Sequence, residues 1–252
     1  MTSSTPRSVR RDPAPILWTL TGLGWVVVVA STVLPGGHLL HPGGAVMGLS
    51  GGMGSLPAPT ALAVFLTGWL VMLAAMMLPT TVPMARMFTV VSGRVPTRRP
   101  VRVTSFAAYV AVWSGFALLA LGAALALQPL LREARPGLVL AGALGLAGVF
   151  QFSPLKKRCL TLCRDPAAFL FSHYRRGLRG AWALGTRHAL SCLGCCWALM
   201  LVMFAAGAAD LLWMLGLTAV MVAEKVTLDR RCECDMRVVR GGVDNRGVTF
   251  TP

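Results

Sequence analysis

His188-Ala189-Leu190-Ser191-Cys192-Leu193-Gly194-Cys195-Cys196-Trp197-Ala198-Leu199-Met200-Leu201-Val202-Met203 belongs to a run without a single charge between Arg187 and Asp210. About 20 mostly apolar residues are enough for a helix to cross a bilayer core about 30 Å thick. This run meets that length. Charge is also absent between Asp12 and Arg86, between Arg102 and Arg132, and between Arg135 and Lys156. Charged residues make up only 13% of the 252-residue chain and hydrophobic residues 55%, where a soluble domain carries about 25% charge. Mean hydropathy is +0.66. These values exclude a disordered chain, a coiled coil and most soluble enzymes of this length. They indicate an all-α, polytopic membrane helical bundle whose partner is the lipid bilayer.

Six spans are expected, near 16–34, 60–82, 105–130, 136–154, 188–208 and 209–226. Pro35-Gly36-Gly37 and Pro57-Ala58-Pro59 divide the first uncharged stretch into two spans. Gly207-Ala208-Ala209-Asp210 is read as a tight turn between the last two. The sixth is short, with 13 uncharged residues between Asp210 and Glu224, and the alternative is five spans plus an interfacial helix. The first run is longer than the apolar stretch of about 7–15 residues in a secretory signal, so it reads as a first membrane helix. Residues 1–15 then form an N-terminal arm, 16–226 the transmembrane domain and 227–252 a polar tail.

Six spans put both termini on one side, and the basic residues say which. The arm carries three Lys+Arg, the second-to-third connection five, the fourth-to-fifth eight and the tail six, while only Arg132 and Arg135 fall on the other side. The positive-inside rule places the termini in the cytoplasm of a cell membrane. The same distribution accounts for the formal charge of +15, so no nucleic-acid partner is needed.

The 7 Cys and 13 Met supply the chemistry. The cysteines cluster at Cys159 and Cys163, at Cys192, Cys195 and Cys196, and at Cys232 and Cys234. On this topology all lie at or near the reducing side, where thiols serve metals or redox chemistry more than structural disulfides. Residues three or four apart share a helix face. His188, Cys192, Cys195 or Cys196, Met200 and Met203 therefore form a stripe of imidazole, thiol and thioether. Soft sulfur donors select Cu(I). Met72, Met76 and Met77 precede Pro79 and Pro83 in the second span, where the prolines are expected to kink or end the helix. Cys159 and Cys163 form an i,i+4 pair among basic residues, which favour the thiolate. Glu224-Lys225 closes the sixth span, with Lys225 able to snorkel toward water. Ionisable residues at a membrane boundary are functional candidates. The topology brings these four segments to one depth. On the opposite side, His38, His41, Met47 and Met53 stand in a Gly-rich loop. Each feature also has a plainer reading: Cys and Met as packing residues, a packing kink, an interfacial charge pair.

Met76-Met77-Leu78-Pro79, the stretch Gln151…Pro154-Leu155-Lys156…Cys159-Leu160…Cys163-Arg164…Pro166, Cys192-Leu193-Gly194-Cys195-Cys196-Trp197…Met200, and Glu224-Lys225 together resemble one family. It comprises predicted metal-binding integral membrane proteins, long catalogued as a domain of unknown function. It includes a copper chaperone that supplies a bacterial tyrosinase. The resemblance covers roughly residues 60–226, and Cys-x-x-Cys-Cys-Trp is its most specific element. It implies copper handling and says nothing of the arm, the outer loop or the Cys-x-Cys tail.

The expected function is therefore a Cu(I) chaperone or delivery factor, with a cuproenzyme or a copper carrier protein as partner. The metal-binding candidates are Cys192, Cys195, Cys196, Cys159, Cys163, Met76, Met77, Met72, His188, Met200 and Glu224. No catalytic constellation and no nucleotide-binding loop is visible. A membrane thiol–disulfide oxidoreductase using Cys192-x-x-Cys195 is the alternative from another class, and a structural assembly subunit is a third. The charge distribution makes a direct prediction. Reporters fused after residues 48 and 133 will report outside, and those near 95, 170 and 245 inside. An outside signal near 170 would overturn both the topology and the common depth of the sulfur residues.

Overall fold

In a computed structural model of the chain, residues 12–33, 57–92, 98–133, 136–206 and 211–226 are described. All regular structure among them is helical: α1 Ala14–Val33, α2 Ala58–Ser92, α3 Arg98–Ala126, α4 Gln128–Glu133, α5 Pro136–Gln151, α6 Pro154–Arg164, α7 Pro166–His173, α8 Leu178–Ala205 and α9 Leu211–Val226. The turn at Gly207–Asp210, the outer loop with His38, His41, Met47 and Met53, and the tail with Cys232 and Cys234 lie outside the described residues.

Among the described residues, four helices are long and apolar enough to cross a membrane: α1, α2 over Ala58–Thr89, α3 over Arg99–Ala126, and α8. The α5–α6 pair would make a fifth as one span bent by 69°. The bend has a local cause. Ser153 caps α6, its hydroxyl accepting the Leu155 N–H, and Pro154 occupies the first turn, where its missing N–H costs nothing. Asp165 then caps α7 by accepting from Ala168 N–H at 2.8 Å, again followed by a proline. Helix α9 has 16 residues, about 24 Å of rise.

Two boundaries differ from the charge-based expectation. Helix α2 continues through Pro79 and Pro83 for 35 residues. There the hydroxyls of Thr80 and Thr81 bond to the carbonyls of Met77 and Leu78. Helix α8 begins at Leu178 and carries Arg179 and Arg187 within it, because a charge on a long side chain need not end a helix. Its start is set by Gly177, whose φ of 90° lies in the left-handed region.

Helix α8 is the central element, packed on α3, α6, α5 and α9, while α1 lies along α2. Gly185 lets α8 approach α3; a Cβ there would overlap the Ser105 carbonyl. The start of α1 is tied to α2 by Asp12, which accepts from Ala14 N–H and pairs with Arg86 at 3.2 Å. Those hydrogen bonds, the Ala14 one first, hold the Asp12 carboxyl below its ordinary range. Large apolar side chains such as Trp18, Leu119 and Val149 face outward, as a lipid-facing surface requires.

Candidate metal centre

The fifth-span motif folds as one uninterrupted stretch of α8, and its sulfur face turns inward. Cys192, Cys195 and Cys196 are each no more than 2% exposed. The thiols of Cys195 and Cys196 both donate to the Cys192 carbonyl, at 3.0 and 2.8 Å. All five described cysteines are free thiols. Helix α6 brings Cys159 and Cys163 against this face. Cys163 packs against the buried cluster that holds Cys192 and Cys195. Cys159 lies over Gly194, where a Cβ would stand 2.5 Å from its Sγ. Gly194 is thus the residue that lets the second thiol pair reach the first.

Helix α9 closes the cluster with two consecutive charged residues. Neighbours on a helix point about 100° apart, so Glu224 and Lys225 reach different partners. Glu224 accepts from Lys156 of α6 at 2.8 Å, and its backbone carbonyl accepts from Arg164. Lys156 is itself buried and also donates to Gln151. Lys225 turns inward rather than snorkelling: its ammonium donates to the Cys192 sulfur at 3.3 Å and to Thr80 at 3.2 Å. It lies 4.0 Å from the Met77 sulfur. The Tyr109 hydroxyl of α3 meets the Cys192 sulfur from another side at 3.4 Å.

The methionine expectations fall into the same core. Met72, Met76, Met77, Met200 and Met203 are fully buried in one cluster with Cys192, Cys195 and Cys196, and Met214 and Met221 of α9 join it. An aromatic layer of Phe65, Trp69, Trp113, Phe116 and Phe204 adjoins it, with Trp69 5.6 Å from Phe204 and 6.4 Å from Trp113 between ring centroids. Two expected candidates stand apart. Glu224 is engaged by Lys156, and His188 stacks on Tyr109 at 5.7 Å and packs on Phe169.

A family model described as copper chaperone (PpoB2) matches residues 66–237. The chain belongs to this copper chaperone family. No curated protein and no solved structure matches it. The matched stretch includes every cysteine cluster, Met72, Met76 and Met77, and Glu224-Lys225. Copper handling by a chaperone, not catalysis, is the function the family carries. Among the described residues, no group of three or more His, Cys, Asp or Glu side chains stands in a geometry ready to hold a metal. The thiols instead converge on a lysine ammonium and on a backbone carbonyl.

Tyr109 and Thr80 were not singled out from sequence, and Lys156 was quoted there only within the family motif, without a role of its own. Tyr109 is one of only 2 tyrosines, and it shares its helical run with Thr104, Ser105 and Ser114, so its phenol is a weak signal. Lys156 is buried in a basic stretch whose neighbours Lys157 and Arg158 are exposed, and composition cannot separate the three. The Lys156–Glu224 pair gives a clean test. Lys156→Met leaves a mostly buried carboxylate unpaired and should cost about 3 kcal/mol. Adding Glu224→Leu should restore most of that loss. Thermal midpoints of the detergent-purified variants make the comparison.

Proposed function

We propose that this chaperone carries Cu(I) on the thiols of Cys192, Cys195 and Cys196, with Cys163 and Cys159 of α6 as partner donors. The observation that supports this most is the approach of two thiol groups distant in sequence across Gly194. One helix presents sulfur on one side only, and Cu(I) is satisfied by two or three soft ligands, so a second helix completes the set. The buried cation at the cluster, Lys225, marks where positive charge is accommodated. Copper entering the thiols takes over that role, and the ammonium gives up Cys192 while keeping its bond to Thr80. Met76, Met77, Met72 and Met200 surround the thiols with thioethers, weaker donors that suit an ion in transit. Glu224 holds α6 in place through Lys156 and is not needed as a ligand.

The wider arrangement in this reading is a six-span protein of the cell membrane with cytoplasmic termini. It loads at the basic side and hands copper to a cuproenzyme or a copper carrier protein. Ligand exchange between similar sulfur sites needs no nucleotide.

The test is competition with a Cu(I) chelator, using membrane expression as the folding control. Cys192→Ser replaces a soft donor by a hard hydroxyl and should abolish tight binding. Met76→Leu keeps volume and should cost under about 1.5 kcal/mol of stability while weakening affinity or transfer. Wild-type affinity in well-expressed Cys192→Ser protein would refute the assignment. A reversible disulfide formed in cells without metal would favour thiol–disulfide exchange instead.

A further inference from the structure

A cavity of about 190 Å³ opens beside the thiol cluster, between the start of α1, the later part of α2, the start of α3 and α8. Its walls are mostly apolar, but Met84, Tyr109 and His188 all line it. The Nε2 atom of His188 is buried and has no hydrogen-bond partner. A buried polar atom without a partner costs about 1–3 kcal/mol; Trp69 Nε1, Trp113 Nε1 and Thr186 Oγ1 share that state among the described residues, and of the four residues only His188 lines this cavity. Packing alone does not supply a reason for the histidine, since a phenylalanine could stack on Tyr109 and Phe169 equally well.

Position supplies the reason. His188 and Cys192 are four residues apart on α8, so they share a face with a rise of about 6 Å between them. Tyr109 spans the gap: its ring stacks on His188 and lines the cavity, while its hydroxyl touches the Cys192 sulfur. The cavity also lies at the end of the bundle where Asp12 and Arg86 pair, since Pro13 and Ala85 form part of its wall. We infer that this cavity is the loading port for Cu(I), and that His188 Nε2, with the Met84 thioether, takes the ion before the thiols do. Imidazole and thioether are both competent copper donors and weaker than thiolates. An ion held there passes one helical turn inward by ligand exchange: a bond to Cys192 sulfur forms as the bond to His188 nitrogen breaks, the thiol proton goes to the vacated imidazole, and the oxidation state does not change. Arg102 also lines the cavity.

This inference rests on the thiols being the destination, so its test separates rate from affinity. Purified full-length protein in detergent is mixed with Cu(I) held by an anionic chromogenic chelator. Transfer is followed in a stopped-flow instrument, and the final occupancy gives the affinity. His188→Phe should slow transfer by roughly tenfold, a barrier raised by about 1.4 kcal/mol, and leave final occupancy unchanged. Met84→Leu, which keeps the volume, should slow it in the same direction and covers the case in which His188→Phe does not fold. Unchanged transfer in a folded variant of either residue overturns the port. So does an occupancy loss as large as the rate loss, because His188 would then belong to the thiol site. Cys192→Ser reports on the thiol site alone: if it keeps wild-type occupancy, the destination is wrong whatever the His188 variants do.

Discussion

The ammonium of Lys225 lies 3.3 Å from the sulfur of Cys192, among buried methionines and aromatic rings. A charge taken into such surroundings is expensive unless it is paired and hydrogen-bonded. The fold meets that demand with partners from two helices, Cys192 from α8 and Thr80 and Met77 from α2, around a lysine of α9. Much of the bundle follows from satisfying this one group. Helix α9 must dock against both α2 and α8, and its preceding residue, Glu224, is then aimed at α6. There it meets Lys156, so the same turn that buries one charge also pins the helix bearing Cys159 and Cys163.

A copper chaperone has to bind its ion and also give it up. Sulfur-rich pockets bind Cu(I) well; release is the harder half. In the proposed site, Lys225 is a resident cation that re-enters when copper leaves. The thiols then never face one another in a low-dielectric core without positive charge nearby. The methionines behind them add polarizable contacts without adding charge. The close approach over Gly194 brings thiols of two helices together, so a rearrangement at the α6–α8 contact changes the number of donors available.

Much of this was legible in the sequence, and what was not has physical causes. The uncharged runs announced membrane helices, and the three-four spacing of Cys192, Cys195 and Cys196 placed them on one face that the structure buries. The pairing of α6 with α8 was foreshadowed by the i,i+4 spacing of Cys159 and Cys163, but the partner was hidden: only a three-dimensional contact identifies Gly194 as its landing place. Charge was a poor guide to helix ends. Arg179 and Arg187 sit inside α8, and Pro79 and Pro83 inside α2, because long side chains reach out of a bundle and neighbouring packing holds a helix through a proline. Charge was also a poor guide to direction, since Lys225 points into the protein. Six spans were expected; among the described residues four helices are long and apolar enough to cross on their own, and α5 ends at the Ser153-Pro154 bend into α6.

The proposed centre holds the copper ion on sulfur from two helices. An X-ray absorption spectrum of the Cu(I)-loaded, detergent-purified protein measures the donor atoms directly. It should show a shell made of two or three sulfurs and no nitrogen, with the sulfur count reduced when Cys159 and Cys163 are both changed to serine. A nitrogen- or oxygen-dominated shell, or a sulfur count indifferent to the α6 cysteines, would contradict it.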